Sequence, residues 1–395
     1  MLTVPGVQKL VDFANEGLPI VVSGGLPQNL TGYNISGTEY VRSALAGIVS
    51  LRNVHVVPYD NLAASLSALG IKPRTAVSAD RTWYTYVRED DDASVTYVYV
   101  YNDAWDSELG EGASTGSITF EIMGVPYAYD AFTGDTTAIL GYEQSSTTTT
   151  ISLSLAGNQS TIIGFHHDES TTNTTRVLSV PVEVYRSQHE SNYGSSAISL
   201  NVGNASAPIL LSNGTAVYTP TPAAPIDLSN WTLIIESWSS PSDPYTEQTQ
   251  AAKSNSTYQL DSLKPWNQIS DSLQNVSGRG FYSTTFSWPP ENGTANGAVL
   301  SLGAIVHTAR AWVNGHQLPP LDPTNAVADI GNCLSSGVNT VEIEVSTTLG
   351  NALRPVYETV RSSGTTWLGP QPVEQDYGLV QPVTVLPYNT VTIDL

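Results

Sequence analysis

The stretch Ala309-Arg-Ala-Trp312-Val-Asn314-Gly315-His316-Gln-Leu318 constrains the fold more than any other. Apolar residues alternate up to an Asn-Gly pair, and the pattern resumes beyond it. Asn-Gly suits a two-residue type I′ turn, because both central positions need φ > 0. The stretch therefore predicts a β-hairpin with a Trp beside its turn. A hairpin buries only one face, so it needs further strands on the same side of a core.

Those strands are legible nearby. Trp231 to Trp238, Gly280 to Phe286, Ala298 to Leu302, Ala309 to Asn314 and Asn339 to Val345 all read as strands, in a jelly-roll pattern. Pro265 to Leu273 reads as a loop or short turn. Upstream, Thr82 to Val87 and Ser94 to Tyr101 form a hairpin around the acidic turn Glu89 to Asp92. Ser117 to Met123, Ala138 to Tyr142, Thr148 to Leu155 and Thr161 to Phe165 are further strands, which together predict a β-sandwich. Tyr218-Thr-Pro-Thr-Pro-Ala-Ala-Pro225 reads as a stiff, extended linker.

Residues 6 to 72 have a different period. Val7, Leu10, Val11 and Ala14 recur at helical spacing, and Gly17 is a natural C′ residue. Pro19 to Ser23 and Val54 to Pro58 are buried strands, with helices at Thr38 to Leu51 and Asn61 to Leu69. This is a βαβ unit, and two parallel strands are too few for a sheet buried on both faces. The fold class expected is thus mainly β. A partial α/β unit (1–80) precedes a β-sandwich (81–218) and a C-terminal jelly roll (226–395).

Composition limits the partners. The 395 residues carry 15 Lys plus Arg against 36 Asp plus Glu, a net charge of −21, and only 13% are charged. Such a surface repels nucleic acid and anionic membranes. No apolar run reaches membrane-spanning length. One cysteine, Cys333, permits no disulfide within the chain. Ten Asn-x-Ser/Thr sequons, at Asn29, Asn34, Asn158, Asn173, Asn204, Asn213, Asn230, Asn255, Asn275 and Asn292, together with low Lys, favour a secreted glycoprotein. Met1-Leu-Thr-Val-Pro5-Gly has neither a basic nor an apolar leader segment, so the expectation is that the protein's beginning is missing.

No catalytic set emerges. Gly112-Ala-Ser114-Thr-Gly116 matches G-x-S-x-G, but acidic turn residues precede it and a strand follows, so a Ser-rich loop is expected. His166-His167-Asp168 places adjacent imidazoles on opposite sides of a strand, against a shared metal. The run Glu89-Asp90-Asp91-Asp92 lacks EF-hand spacing and reads as a solvated turn. Glu342 and Glu344 share one strand face, roughly 5–9 Å apart as glycosidase carboxylates are, yet alternation with Val341, Ile343 and Val345 explains them as a solvent face. Neither metal nor cofactor is expected. Aromatics are better candidates, because a sugar's CH face packs on Trp or Tyr. Trp312 with Asn314 and His316, and also Trp266 and Tyr282, are candidate sugar contacts; the competing reading puts Trp312 in the jelly-roll core.

Gly278 to Phe286, then Leu300-Ser-Leu-Gly303, Ala311 to Gly315 and Gly337 to Asn351 follow one another in an order that resembles a known family. This is the C-terminal galactose-binding-like jelly roll of α-L-rhamnosidase-type glycoside hydrolases. The sugar-binding domain of the β-galactosidase/β-glucuronidase superfamily is related to it. The resemblance spans about 225 to 355. Asp80 to Arg88, then Tyr97 to Asn102, looks like the hairpin those rhamnosidase-type enzymes carry after their barrel, and Tyr127 to Gly134 like the sandwich that follows. The family's hairpin holds a His-Arg pair; here Tyr86-Val-Arg88 matches only the Arg, which makes Arg88 a further candidate contact. The family's catalytic carboxylates lie on a (β/α)₈ barrel of about 250 residues, and none is carried over. The resemblance implies an accessory, carbohydrate-associated part of a secreted hydrolase acting on plant-type polysaccharide or glycoside, with a missing catalytic barrel. A free-standing glycan-binding module and a structural scaffold are the alternatives.

Overall fold

The computed structural model describes residues 3–28, 35–167, 175–181, 183–192, 195–239, 251–362 and 369–394. Two compact units divide between Pro73 and Arg74. In the first, α1 (Val4–Asn15), β1 (Ile20–Ser23), α2 (Ile35–Ile48), β2 (Val54–Val57) and α3 (Leu62–Ala68) follow the predicted order. Thr3 caps α1 by accepting Gly6 N–H, and Gly17 leaves the helix at φ 91°. β1 and β2 are parallel, Ile20 opposite Val54. Val7, Ala14, Val41, Leu45, Ile48 and Val54 form the small core between the helices and the strands.

The second unit is mainly β and begins with a sandwich. Its strands are β3 (Thr75–Ala79), β4 (Trp83–Asp90), β5 (Val95–Asn102), β6 (Ser114–Phe120), β7 (Val125–Tyr129), β8 (Thr136–Ala138), β9 (Tyr142–Gln144), β10 (Thr149–Leu155) and β11 (Ser160–His166). They form two sheets, β3-β6-β10-β9 and β4-β5-β11-β7-β8. Val98, Val100, Ile163 and Phe165 of one face Ile118, Phe120 and Ile151 of the other, with Phe120 and Phe165 rings 4.9 Å apart. The segment predicted as one strand, Ala138 to Tyr142, is broken. Gly141 at φ 73° carries the chain from one sheet to the other, so β8 and β9 sit in different layers.

The remaining strands are β12 (Val177–Ser179), β13 (Val184–Asn192), β14 (Ser195–Val202), β15 (Ile209–Leu211), β16 (Ala216–Val217), β17 (Ile226–Asp227), β18 (Trp231–Ser239), β19 (Ala252–Leu260), β20 (Gly278–Trp288), β21 (Gly297–Gly303), β22 (Thr308–Val313), β23 (His316–Gln317), β24 (Ala326–Asp329), β25 (Gly337–Ser346) and β26 (Thr384–Asp394). The jelly roll packs the sheet β19-β18-β20-β25-β22-β23 against β26, β21 and β24. β26 also pairs with β14, whose other neighbour is β13. A sheet ladder therefore crosses the boundary expected near 218. The Pro-rich segment 218–225 is likewise docked rather than a free spacer: Ala223 is buried, its N–H donates to Thr294 O, and Asn389 Nδ2 donates to Pro220 O at 3.1 Å.

The Asn-Gly turn joins β22 to β23 with φ 51° at Asn314 and 77° at Gly315. Asn314 also pins the turn to the start of β25. Its Nδ2 donates to Asn339 Oδ1 at 2.7 Å and to Cys333 O at 2.9 Å, and its Oδ1 accepts Thr340 N–H at 2.9 Å. Asn339 is fully buried and takes up the remaining turn groups, Ser335 N–H, Ser335 O and Gly337 O. Asn314→Gly keeps the left-handed backbone but removes the three side-chain bonds. Urea denaturation should show a loss of about 1–3 kcal/mol, and Asn314→Ala should lose more, because Ala resists positive φ.

Trp266, in the short helix α4 (Trp266–Ile269), and Tyr282 on β20 form the other polar knot of this core. Trp266 Nε1 donates to Tyr282 Oη at 2.8 Å, and Leu379 N–H donates to the same oxygen at 3.1 Å. Burial pushes the Tyr282 phenol up to about 12. Gly378, at φ 103°, is required here, since a Cβ would lie 2.5 Å from both Trp266 Nε1 and Tyr282 Oη. Tyr282→Phe strands two buried donors, and its urea midpoint should fall by the equivalent of about 2–4 kcal/mol.

Candidate functional site

Strand register decides what each candidate side chain can do. β22 pairs with β25 so that Val313 lies opposite Val341 and Trp312 opposite Glu342. Ala311 and Val313 point into the core; Trp312 is therefore on the outer face of the sheet and half-buried, not the core residue of the competing reading. His316 is exposed at the hairpin. Arg88 is exposed on β4, opposite Tyr97, and makes no ion pair among the described residues. These three candidates face solvent. The other three do not. Trp266 and Tyr282 are each 1% exposed and bonded to one another, so neither offers a ring to a sugar, and Asn314 is spent on the turn.

The outer face that carries Trp312 is a charged and aromatic network. Arg279 Nη2 lies 3.0 Å from Glu236 Oε1 and its Nη1 3.3 Å from Glu344 Oε1. Trp238 Nε1 donates to Glu236 Oε1 at 2.7 Å, while Lys253 Nζ sits 4.2 Å above the Trp238 ring. The Trp238 hydrogen bond, then that of Arg279, holds the Glu236 carboxyl below its usual range. Arg279 also stacks on Phe281 at 5.3 Å. Glu344 is thus tied to Arg279 while Glu342 is exposed.

Other sequence candidates resolve structurally. Ser114 opens β6 rather than lying in a loop, and it is buried at 1% exposure. It accepts Trp83 Nε1–H at 2.9 Å and donates to Asp80, which that bond holds below the usual carboxylate range. No nucleophile faces solvent there. His166 and His167 do point apart: His166 bonds Tyr129 Oη at 2.7 Å, whereas His167 bridges Thr96 Oγ1 at 2.9 Å and Met123 O at 2.8 Å. Asp168 lies outside the described residues, as do the sequons Asn29, Asn34 and Asn173. The other seven sequon asparagines are exposed, although Asn158 has both amide atoms engaged, with Tyr101 Oη and Ala104 O. Among the described residues, no group of three or more His, Cys, Asp or Glu is placed to hold a metal.

Two clefts remain. One, of about 540 Å³, surrounds the acidic turn, where Arg74 pairs with Glu89. The second, of about 370 Å³, lies where the sandwich meets the jelly roll and is lined by Leu109, Gly157, Asn158, His307 and Thr324. Gln381 ties two of its lining residues together, accepting Ala304 N–H at 2.9 Å and donating to Leu109 O at 3.3 Å. Gln159 Nε2 donates across the same junction to Asp322 Oδ2 at 3.0 Å. His307 packs edge-on to Tyr377 at 5.2 Å, and burial holds its pKa below the ordinary His value. The unfolded chain therefore binds the extra proton first, and stability falls as pH drops below about 6.5. The unfolding midpoint should fall less between pH 7 and pH 6 in His307→Gln than in the parent, a comparison that thermal melts at fixed ionic strength make directly.

Sequence reasoning missed an aromatic surface. Tyr84 and Tyr86 on β4, Tyr97, Tyr99 and Tyr101 on β5, and Tyr127 and Tyr129 on β7 share the outer face of one five-stranded sheet. The signal was present as Tyr-x-Tyr-x-Arg and Tyr-x-Tyr-x-Tyr at period two. Trp105, which follows β5, is 82% exposed.

No protein-family model matches the sequence, and no curated protein does either. Solved structures do. A rhamnosidase from Novosphingobium sp. PP1Y superposes on 98% of this chain with 18% identity and a TM-score of 0.56. The overlap covers 32% of that protein, so this chain spans about a third of its length. A β-D-mannosidase from Dictyoglomus thermophilum overlaps 42% of this chain and 23% of its own, at 11% identity and a TM-score of 0.24. A β-glucuronidase from Faecalibacterium prausnitzii overlaps 44% of this chain and 33% of its own, at 18% identity and a TM-score of 0.27. These last two overlaps are too loose to define a common fold. The first establishes that the arrangement is one found within a glycosidase.

Proposed function

We propose that this chain is the accessory, carbohydrate-associated part of a secreted glycoside hydrolase of the α-L-rhamnosidase type, working with plant-type polysaccharide or glycosides. The observation that supports it most is the superposition of nearly the whole chain on about a third of a rhamnosidase. Local chemistry agrees with an accessory role. Inverting and retaining glycosidases both need two carboxyl groups flanking the bond, and Glu342 and Glu344 are divided between solvent and Arg279. A barrel requires eight parallel strands, whereas the described residues of the first unit pair two. The bond-breaking carboxylates are accordingly assigned to a catalytic barrel outside these 395 residues.

Secretion is part of the same proposal and rests on the seven exposed sequons. The decisive assay is turnover. The purified 395-residue chain should release no p-nitrophenol from p-nitrophenyl α-L-rhamnopyranoside above the rate without protein. Release that follows the protein through purification overturns the accessory reading.

A further inference from the structure

The β4-β5-β11-β7-β8 sheet has two faces of opposite character. Its inner face is the apolar core of the sandwich. Its outer face carries seven of the chain's 20 tyrosines. The register arranges them in cross-strand rows: Tyr84 beside Tyr101; Tyr86, Tyr99, Ile162 and Tyr129; then Arg88, Tyr97, Gly164 and Tyr127. Alternate residues on a strand are about 6.8 Å apart and neighbouring strands about 4.8 Å, so the five rings of β4 and β5 lie side by side, with the two of β7 beyond Ile162 and Gly164. Gly164 makes room for Tyr129, because a Cβ there would lie 2.5 Å from its ring.

Sheet stability explains part of this arrangement. Tyr97 and Tyr129 meet edge to face at 5.4 Å, and the Tyr129 hydroxyl bonds His166. Cross-strand aromatic pairs of this kind stabilise a sheet. It does not explain Tyr84, Tyr86 and Tyr99, which stay 56%, 70% and 41% exposed. Nor does it explain Trp105, in a loop clipped by the Arg81–Asp106 pair at 2.6 Å and by Ala104 N–H on Asn158 Oδ1 at 3.1 Å. Asn158 Oδ1 also accepts the Tyr101 hydroxyl, so the Trp-bearing loop and the first tyrosine row share one anchor.

Charge narrows the occupant. On a chain of net charge −21, the three rows contain no carboxylate. Acidic groups stand at the borders. Asp90 turns to accept Ala93 N–H, and Asp103 lies near enough to Tyr101 to raise its pKa, second to burial. Arg88 is the one permanent cation in the rows. Ile162 is the one aliphatic side chain among them, so the face is made of rings with polar tips rather than of aliphatic side chains. What remains is a face of phenol rings bearing hydroxyl donors and acceptors.

We infer that this tyrosine face, bordered by Trp105, is a binding platform for a neutral polysaccharide chain. Sugar CH faces stack on the exposed rings of Tyr84, Tyr86 and Tyr99, while phenol hydroxyls and Arg88 hydrogen-bond the ring hydroxyls. The inference rests on the carbohydrate-associated role proposed above and gives it a location.

Affinity gel electrophoresis of the 395-residue chain in gels containing xyloglucan, arabinogalactan or polygalacturonate tests it. The expected result is retardation by at least one of the two neutral polysaccharides, unchanged by about 0.5 M NaCl, since no ion pair is involved. Tyr84→Ala/Tyr86→Ala should weaken it about tenfold or more with an unchanged urea midpoint, and the milder Tyr86→Gln should weaken it in the same direction. Retardation by polygalacturonate alone overturns the inference, as does equal retardation of the double variant or none for the parent chain. Any of these outcomes leaves the accessory reading standing, because that reading falls only to rhamnoside turnover.

Discussion

β26 is the strand on which the second unit depends. It pairs with β14 on one side and β21 on the other, and β17 adds to its run. Its two ends belong to two cores: Val385 packs inside the jelly roll and Ile393 in the cluster with Val177, Ile198 and Leu200. Unpairing it would leave backbone donors and acceptors of two neighbours unsatisfied, each costly to bury alone. Polar contacts reinforce the seam. Tyr388 Oη donates to Asp329 Oδ1 at 3.0 Å, and Asn201 Nδ2 reaches Asp329 Oδ2 at 3.4 Å. The phenol is correspondingly hard to ionise, through burial first and the Asp329 charge second. Jelly roll and preceding strands thus share one sheet within one compact unit.

Much of this was legible locally. Asn314-Gly315 specified its turn because few residues accept positive φ, and the helices of the first unit follow from apolar spacing and Gly17. What period-two alternation leaves open is which side faces the core. Trp312 and Val313 are equivalent on paper, and only pairing with β25 selects Val313. Trp266 and Tyr282 misled for a related reason. An aromatic with a polar tip suits a sugar site and a buried knot equally well, and the Leu379 N–H that decides the matter is 97 residues from Tyr282 in sequence. The Pro-rich segment 218–225 has a linker's composition, yet its backbone groups found partners at Thr294 and Asn389.

Polarity in this chain is handled by amides and hydroxyls more than by ions, as its 13% charged content requires. Asn339, Asn314, Gln381 and Gln159 each satisfy backbone or side-chain groups at a junction between elements. Neutral amides supply both donor and acceptor without the desolvation penalty of a charge. One network of ions lies on the outer jelly-roll sheet, where Arg279 links Glu236 and Glu344 and lies over Phe281.

β19 forms the margin of that sheet, and Ala252 to Thr257 are exposed along it. Its sequence, Ala-Lys-Ser-Asn-Ser-Thr-Tyr-Gln-Leu, is polar on both sides until Tyr258, and Lys253 is held towards Glu236 and the Trp238 ring. An unpaired strand margin is a template on which foreign chains polymerise, and a lysine with flanking hydroxyls makes that template unattractive. Beside the long-range repulsion of a chain at −21, this blunted margin acts at contact range against edge-to-edge pairing of strands.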